Sequence, residues 1–226
     1  PDFIDQVRIQ ESGGESAPYL MIRNVQGLVA AAQIGTLELH IWGSRTDAIE
    51  RPDRLVFDLD PDAALSFADV REAARDIRDI LQSLGLVSFP LLTGGKGVHV
   101  IAPIARRHAW PAVQAFAKGL AGKIAAADPS RYVATMSKAQ RKGKIFIDWL
   151  RNQRGATAIA PYSLRARAGA PIAAPVSWAE LARTESAAAY TLDTIGARLS
   201  GLKTAPWEGY FSLRQSLTKK ALKAFS

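Results

Sequence analysis

Cysteine is missing from all 226 residues. That excludes disulfides and thiolate zinc sites outright, and a cytoplasmic setting is the expectation that follows. Long apolar runs are missing too. Nothing approaches the roughly 20 residues that cross a bilayer, so no membrane partner is expected. The opening stretch, PDFIDQVRIQ, has neither the basic start nor the apolar core of a signal peptide. Acidic side chains are the scarcer sign, 21 against 29 Lys and Arg, and the formal charge of +8 points to a polyanionic partner. What is present is an apolar fraction of 48%, the composition of a folded protein rather than a disordered tail. The length suits one large domain or two small ones. No internal repeat and no linker stands out, so one domain over 1–226 is expected.

Residues up to about Ala17 are polar, and ESGGES marks a turn between short extended pieces. A helix is predicted from Val25 to Ile34 with Gly35 as its stop, after which LELHIW resumes strand-like alternation. Apolar positions at Val70, Ala73, Ala74, Ile77, Ile80, Leu81 and Leu84 predict a helix over 67–84, closed by Gly85. VSFPLLTGGKGVHVIAPI reads as strand, glycine turn, strand. A second long helix covers WPAVQAFAKGLAGKIAAA, and IFIDWL is a compact strand. From about residue 160 the chain turns Pro-, Ala- and Arg-rich and irregular, with short helices at SWAELAR and at the C-terminus. Strands interrupted by two long helices predict an α+β fold, helices packed on a largely antiparallel sheet.

The chemistry gathers at strand ends. In LVFDLDPD, alternation puts Asp58 and Asp60 on one face, opposite Leu59. Adjacent anions repel unless a cation sits between them, so the pair is either a divalent-metal site or a turn in which Asp60 caps before Pro61. Asp148 ends another apolar strand, KIFID. It is either a third ligand or a surface carboxylate paired with Arg151 or Lys144. Three such carboxylates suit a pair of Mg²⁺ or Mn²⁺ ions clamping the oxygens of phosphoryl or nucleotidyl transfer. TGGKGVHV offers glycines for close approach of backbone N–H groups to phosphate, with Thr93 and Lys96 adding a hydroxyl and a charge. It is not a Walker A loop, since no Ser or Thr follows the lysine, and an ordinary hairpin turn is the plain alternative. His99 points away from Val98 and Val100, toward a cleft if the valines are core. His40 shares a face with Glu38 and Trp42, as a nucleotide contact or a locally satisfied histidine. His108 has no assigned role. Lys138, Arg141, Lys142 and Lys144 precede Asp148, and Arg151, Arg154, Arg165 and Arg167 follow it. Eight cations around one carboxylate suit triphosphate and nucleic-acid backbone. Arg214, Lys219, Lys220 and Lys223 read as the polar side of a terminal helix.

Five blocks occur in order across nearly the whole chain: IGTLELHIW, ERPDRLVFDLDPD, LLTGGKGVHVIAP, RKGKIFIDWLRNQRGATAIAPYSLRARAGAPIAAPVSW and PWEGYFSLRQSLTKKALK. Together they resemble the polymerase domain of bacterial DNA ligase D, in the archaeo-eukaryotic primase superfamily. The resemblance implies a primase-like (RRM-like) antiparallel or mixed sheet with packed helices. It implies catalytic, metal-binding roles for Asp58, Asp60 and Asp148, the first two bridging both ions and the third completing the ion that activates the primer 3′-hydroxyl. It implies nucleotide contacts for His40, Thr93, Lys96, His99 and Arg165, and DNA contacts for Arg141, Lys144 and Arg151. The implied activity is addition of ribonucleotides, in preference to deoxyribonucleotides, to broken DNA ends during non-homologous end joining, often with Mn²⁺. Implied partners are DNA ends, nucleoside triphosphates, Ku, and ligase and nuclease domains, in a bacterial, nucleoid-associated setting. The family's domain normally has several tens of residues before the point matching Pro1, so an N-terminally shortened domain is expected.

Two other readings compete. LVFDLDPD superficially resembles the nucleophile strand of haloacid-dehalogenase-like phosphatases, but Pro61 and Asp62 stand where a Gly-Thr pair belongs. The other is a catalytically impaired domain that binds DNA ends or partner proteins without extending them.

Overall fold

Alternation along three neighbouring strands decides where this protein keeps its core and where it keeps its charge. The computed structural model describes residues 3–11 and 13–225; Pro1, named in the N-terminal expectation, and Ser12 of the expected turn lie outside them. Strands β1 (Asp5–Gln10) and β2 (Ser16–Met21) form an antiparallel hairpin, followed by helix α1 (Val25–Gln33) and the short strand β3 (His40–Trp42). The helix starts on Asn24, whose side chain accepts the Gly27 N–H, and closes before Gly35 at φ +82°. Next come β4 (Arg54–Pro61), α2 (Phe67–Ser83), β5 (Phe89–Leu92), β6 (Val98–Pro103), α3 (Trp110–Ala127), β7 (Tyr132–Val133), β8 (Ile145–Asp148) and β9 (Thr157–Ile159). The last part holds β10 (Ala174–Pro175), α4 (Trp178–Leu181), α5 (Leu192–Gly201) and α6 (Lys219–Phe225).

The main sheet has the order β10-β5-β6-β4-β8-β7, antiparallel except for the parallel pair β7–β8. One face is apolar throughout. Leu55, Phe57 and Leu59 of β4, Val98, Val100 and Ala102 of β6, and Ile145 and Ile147 of β8 pack beneath α2 and α3. Helix α2 lays down Val70, Ala73, Ala74, Ile77 and Leu81, all fully buried, at the spacing that keeps one stripe inward. Its start is a capping box, in which Ser66 and Asp69 exchange side-chain and backbone bonds. Helix α3 contributes Val113, Phe116, Leu120 and Ile124.

The opposite face is divided. Val56, Leu91 and Ile101 meet Ile159 and Ala173 in a second, smaller core, closed by Trp207 and Tyr210 stacked at 5.0 Å. Beyond Val56 the same face of β4 carries Asp58 and Asp60. The short ribbon β3–β9 leans over this boundary, pairing His40 with Ile159. This is the mixed-sheet α+β architecture expected. Two local expectations differ. Strand β3 starts at His40 rather than Leu37, because the Leu39 N–H is bonded to Ser163 Oγ at 2.8 Å and its carbonyl to Ala160. Helix α5, unforeseen in the irregular part from 160, buries no side chain, and Arg198 holds it down through Glu180 and the Pro175 carbonyl.

Candidate metal and nucleotide site

Register brings the acidic residues together. Asp58 pairs across β4–β8 with Asp148 and across β4–β6 with His99, so the three stand in one row on the open face. Asp60 is two residues along on the same face. Ligand oxygens of Asp58, Asp60 and Asp148 lie within 4.8 Å of one another, a span that fits a pair of divalent ions 3.5–4 Å apart. Asp58 and Asp148 are buried, while Asp60 stands at the solvent edge. All three offer hard carboxylate oxygens, with no sulfur nearby to favour a softer metal.

Electrostatics show why the cluster calls for cations. Burial alone would push the Asp58 carboxyl up; His99 and the Arg151 guanidinium overcome it and hold the group below its usual range. His99 Nε2 lies 3.3 Å from Asp58 Oδ2, and Arg151 reaches the same oxygen at 3.1 Å. Arg151 also reaches Asp148 Oδ2 at 3.3 Å. Even so, Asp148 is raised, first by burial and then by Asp58, against Arg151 and the Leu150 N–H, which donates to Oδ1 at 2.8 Å. Asp60 is pushed up to about 6 by desolvation and then by the charges of Asp58 and Asp148. One guanidinium among three carboxylates leaves a surplus of negative charge. The residues fit divalent ions.

Arg151 is aimed by a residue that the sequence reading missed. Asn152 is 1% exposed and grips β4 from the side, accepting the Val56 N–H at 2.8 Å and donating to the Val56 carbonyl at 2.7 Å. It also donates to Trp149 O at 2.9 Å, closing the turn that follows Asp148. A lone Asn in DWLRNQRG carries no signal of its grip on β4, since Val56 lies almost a hundred positions away.

A cleft of about 390 Å³ opens beside the carboxylates and collects all five expected nucleotide residues, His40, Thr93, Lys96, His99 and Arg165, with Arg151. The 93–97 turn forms its wall. Gly94 is at φ +68° with Arg165 and Ile172 packed on it, and a Cβ at Gly97 would stand 2.2 Å from the Leu59 carbonyl. Both glycines are therefore required by close approach. The Thr93 hydroxyl donates to Gly97 O at 2.9 Å, so it braces the turn from inside. The Nδ1 atom of His99 is buried and without a partner among the described residues. His40 and Arg165 both meet Glu38, at 3.0 and 3.1 Å, and with the Ala166 N–H they hold its carboxyl down to about 2, the His40 bond foremost.

Of the expected DNA residues, Arg151 is in the cleft. Arg141 lies flat on Phe146, 3.7 Å from the ring centroid, and contributes to the potential at Asp148. Lys144 instead lines a shallow depression between the end of α3 and the 134–144 segment. Arg154 pairs with Glu50 and is directed away. His108 is satisfied by the Leu217 carbonyl. Among the described residues, no helix is long and apolar enough to cross a membrane.

A primase-type sheet with a carboxylate row beside a basic cleft defines a class, and comparison with known proteins gives the family. The family described as LigD, primase-polymerase domain matches residues 1–207, and the chain belongs to it. A multifunctional non-homologous end joining protein LigD of Pseudomonas aeruginosa is 41% identical over 202 residues, 89% of this chain and 24% of that protein. The Mycobacterium tuberculosis LigD DNA repair protein is 37% identical over 80% of this chain and 25% of its own. The chain thus spans about a quarter of the length of these relatives. The solved polymerase domain from M. tuberculosis ligase D in complex with DNA superposes with a TM-score of 0.79 at 33% identity, covering 88% of this chain and 72% of that one.

Proposed function

We propose that residues 1–226 act as one polymerase domain, a divalent-metal-dependent nucleotidyltransferase that adds ribo- or deoxyribonucleotides to DNA 3′ ends during non-homologous end joining. The observation that carries this reading is the row of Asp58 and Asp148 with Asp60 beside it, opening onto a basic cleft. Asp58, Asp60 and Asp148 would hold two Mn²⁺ or Mg²⁺ ions. When bound, these supply charge to the attacking hydroxyl and the α-phosphate. Lys96 and Arg165 hold the triphosphate against the glycine turn, which Thr93 keeps in shape. His99 orients Asp58 and His40 lines the other wall, with Arg151 turned toward the carboxylates. Arg141 and Lys144, on the segment leading into Asp148, bind the DNA backbone. Nucleoside triphosphates and DNA ends are the substrates; Ku and the ligase and nuclease domains of the longer relatives are the partners, in a bacterial, nucleoid-associated setting.

The test is nucleotide addition to a primer with a recessed end, in Mn²⁺. Asp58→Ala and Asp148→Ala are expected to abolish it while leaving the circular-dichroism spectrum and melting cooperativity of a folded protein. Incorporation at the wild-type rate by either variant overturns the assignment. Retained DNA binding without incorporation by the wild-type chain supports the impaired end-binding domain instead.

A further inference from the structure

Away from the cleft, the second core of the open face is closed by aromatic rings that chemistry at the carboxylates leaves unused. Trp207 and Tyr210 stack at 5.0 Å with 23° between their planes, and Phe89 meets them at 6.0 and 5.3 Å. Phe211 stands edge-on to Tyr210 at 5.1 Å and is 80% exposed, more than any other large apolar side chain among the described residues. Cations accompany the rings. Burial pushes the Tyr210 hydroxyl up, and Arg54 and Arg45 pull against it from close by. Both share one carboxylate, Asp53, at 2.7 and 3.0 Å. Arg214 donates to the Phe211 and Leu213 carbonyls at 3.1 and 3.0 Å and forms no ion pair among the described residues. Three guanidiniums thus outnumber Asp53 and Glu208, the only acid of residues 203–215. We infer that Phe211, backed by Tyr210 and Trp207, is a stacking platform for the bases of an unpaired DNA strand, whose phosphates meet Arg45, Arg54 and Arg214.

The platform is fixed before any strand arrives. Trp207 Nε1 donates to the Pro90 carbonyl at 2.9 Å, which sets the plane of the stacked pair. The Tyr210 N–H bonds back to Trp207 O at 3.1 Å across Gly209, whose φ of +81° makes the turn that brings the two rings together. Gln215 anchors the end of the loop, accepting the Val87 N–H and donating to the Val87 and Pro103 carbonyls, each at 2.8 Å. Little ordering entropy is left to lose on binding. Position supplies the strand. Arg54 shares the open face of β4 with Asp58, four residues and ~13 Å further along. With Trp207 and Tyr210 it lines a narrow slot together with Arg151, Ala158 and Ile159, which also line the carboxylate cleft. A recessed 3′ end held at the carboxylates leaves the opposite strand unpaired, and the open face continues to the aromatic step. Unpaired bases stack on an exposed ring whatever their sequence, and guanidiniums beside the ring hold the backbone. Duplex DNA, its bases already stacked, gains nothing from Phe211.

The source of this strand rests on the proposed nucleotidyltransferase reading, and the experiment separates the two. Affinity is measured by fluorescence anisotropy in Mn²⁺ for a DNA hairpin with a recessed 3′ end, for the same hairpin with abasic sites in its overhang, and for a blunt hairpin. Wild type is compared with Phe211→Ala, Phe211→Trp and Arg214→Ala. Phe211→Ala is expected to weaken the overhanging hairpin ~5–100-fold, the loss of one base–aromatic stack, and the blunt one by less than about twofold. Phe211→Trp should restore the affinity, with quenching of the added indole on binding. On the abasic overhang, wild type and Phe211→Ala should bind alike, because the ring has nothing to stack on. Arg214→Ala should weaken intact and abasic overhangs equally and reduce the salt slope by about one. The Phe211 side chain is exposed, so its variants should melt as wild type does and their affinities report contact rather than folding. Wild-type affinity of Phe211→Ala for the overhang overturns the inference, as does an equal loss on blunt and overhanging ends. Loss of self-association with DNA binding intact also overturns it, giving the face to a second copy of the chain. Overhang binding through Phe211 without nucleotide incorporation removes the nucleotidyltransferase reading and leaves the platform standing.

Discussion

At Asp58, burial and ion pairing act in opposite directions, and the outcome depends on two neighbours. His99 first and then Arg151 keep Asp58 ionised in the absence of metal. Arg151→Gln should therefore destabilise the metal-free protein by about 2 kcal/mol, less than a fully buried pair because the guanidinium is 36% exposed. Urea unfolding in EDTA would measure this, and Mn²⁺ should narrow the gap by binding only the folded form. Asp60 gives the opposite sign. Its carboxyl is raised to about 6, so between its unfolded value near 4 and 6 the folded state holds the extra proton. Stability from this group is present below pH ~4 and lost as pH rises through 6. Asp60→Asn should stabilise the metal-free protein at pH 7.5 by about 1 kcal/mol, discounted for solvent exposure, with no gain at pH 4. Equal effects at both pH values would show that the neighbouring anions do not act on it. The residue types were readable in LVFDLDPD and KIFID; the opposing signs were not, because each comes from a neighbour distant along the chain.

Elements differ in how much of their own formation they carry. Helix α2 has its stripe, its Ser66 cap and its Gly85 stop within one stretch, so local pattern and tertiary burial agree. Helix α5 has two glycines and no fully buried residue, and its place depends on distant partners: Arg198 on Glu180 and the Pro175 carbonyl, and Ile195 against the edge of the main core. The glycines separate the same way. Gly97→Ala would press a methyl into the Leu59 carbonyl 2.2 Å away, parting β6 from β4 beside Asp58. A loss of ~3 kcal/mol and of Mn²⁺ binding is expected, read by denaturation and by paramagnetic resonance of the ion. Gly122, in the exposed side of α3, has nothing within 4 Å, and Gly122→Ala should add about 1 kcal/mol. A destabilised Gly122→Ala would contradict the helix as described.

The whole molecule carries a formal charge of +8, with Lys138, Arg141, Lys142 and Lys144 gathered in one segment and Arg151, Arg165 and Arg167 in the cleft. DNA affinity should accordingly fall with salt, at a slope near −4 in log K against log[salt] if about four to five phosphates are neutralised. Filter binding at several salt concentrations checks this, and a flat response excludes phosphate contacts as the basis of binding. Arg141→Ala and Lys144→Ala should each reduce the slope by about one.

By itself the sequence determined the face on which each carboxylate lies, because strand periodicity is two and leaves no freedom once the valines and leucines go inward. It also determined the turn at 93–97 and both long helices, whose signals are local. The tertiary structure decided which strands lie side by side, and so whether Asp58 and Asp148 share a row. It decided, too, that Arg151 would be locked between carboxylates. Both outcomes depend on register and on partners up to a hundred residues apart, where packing rather than local preference does the selecting.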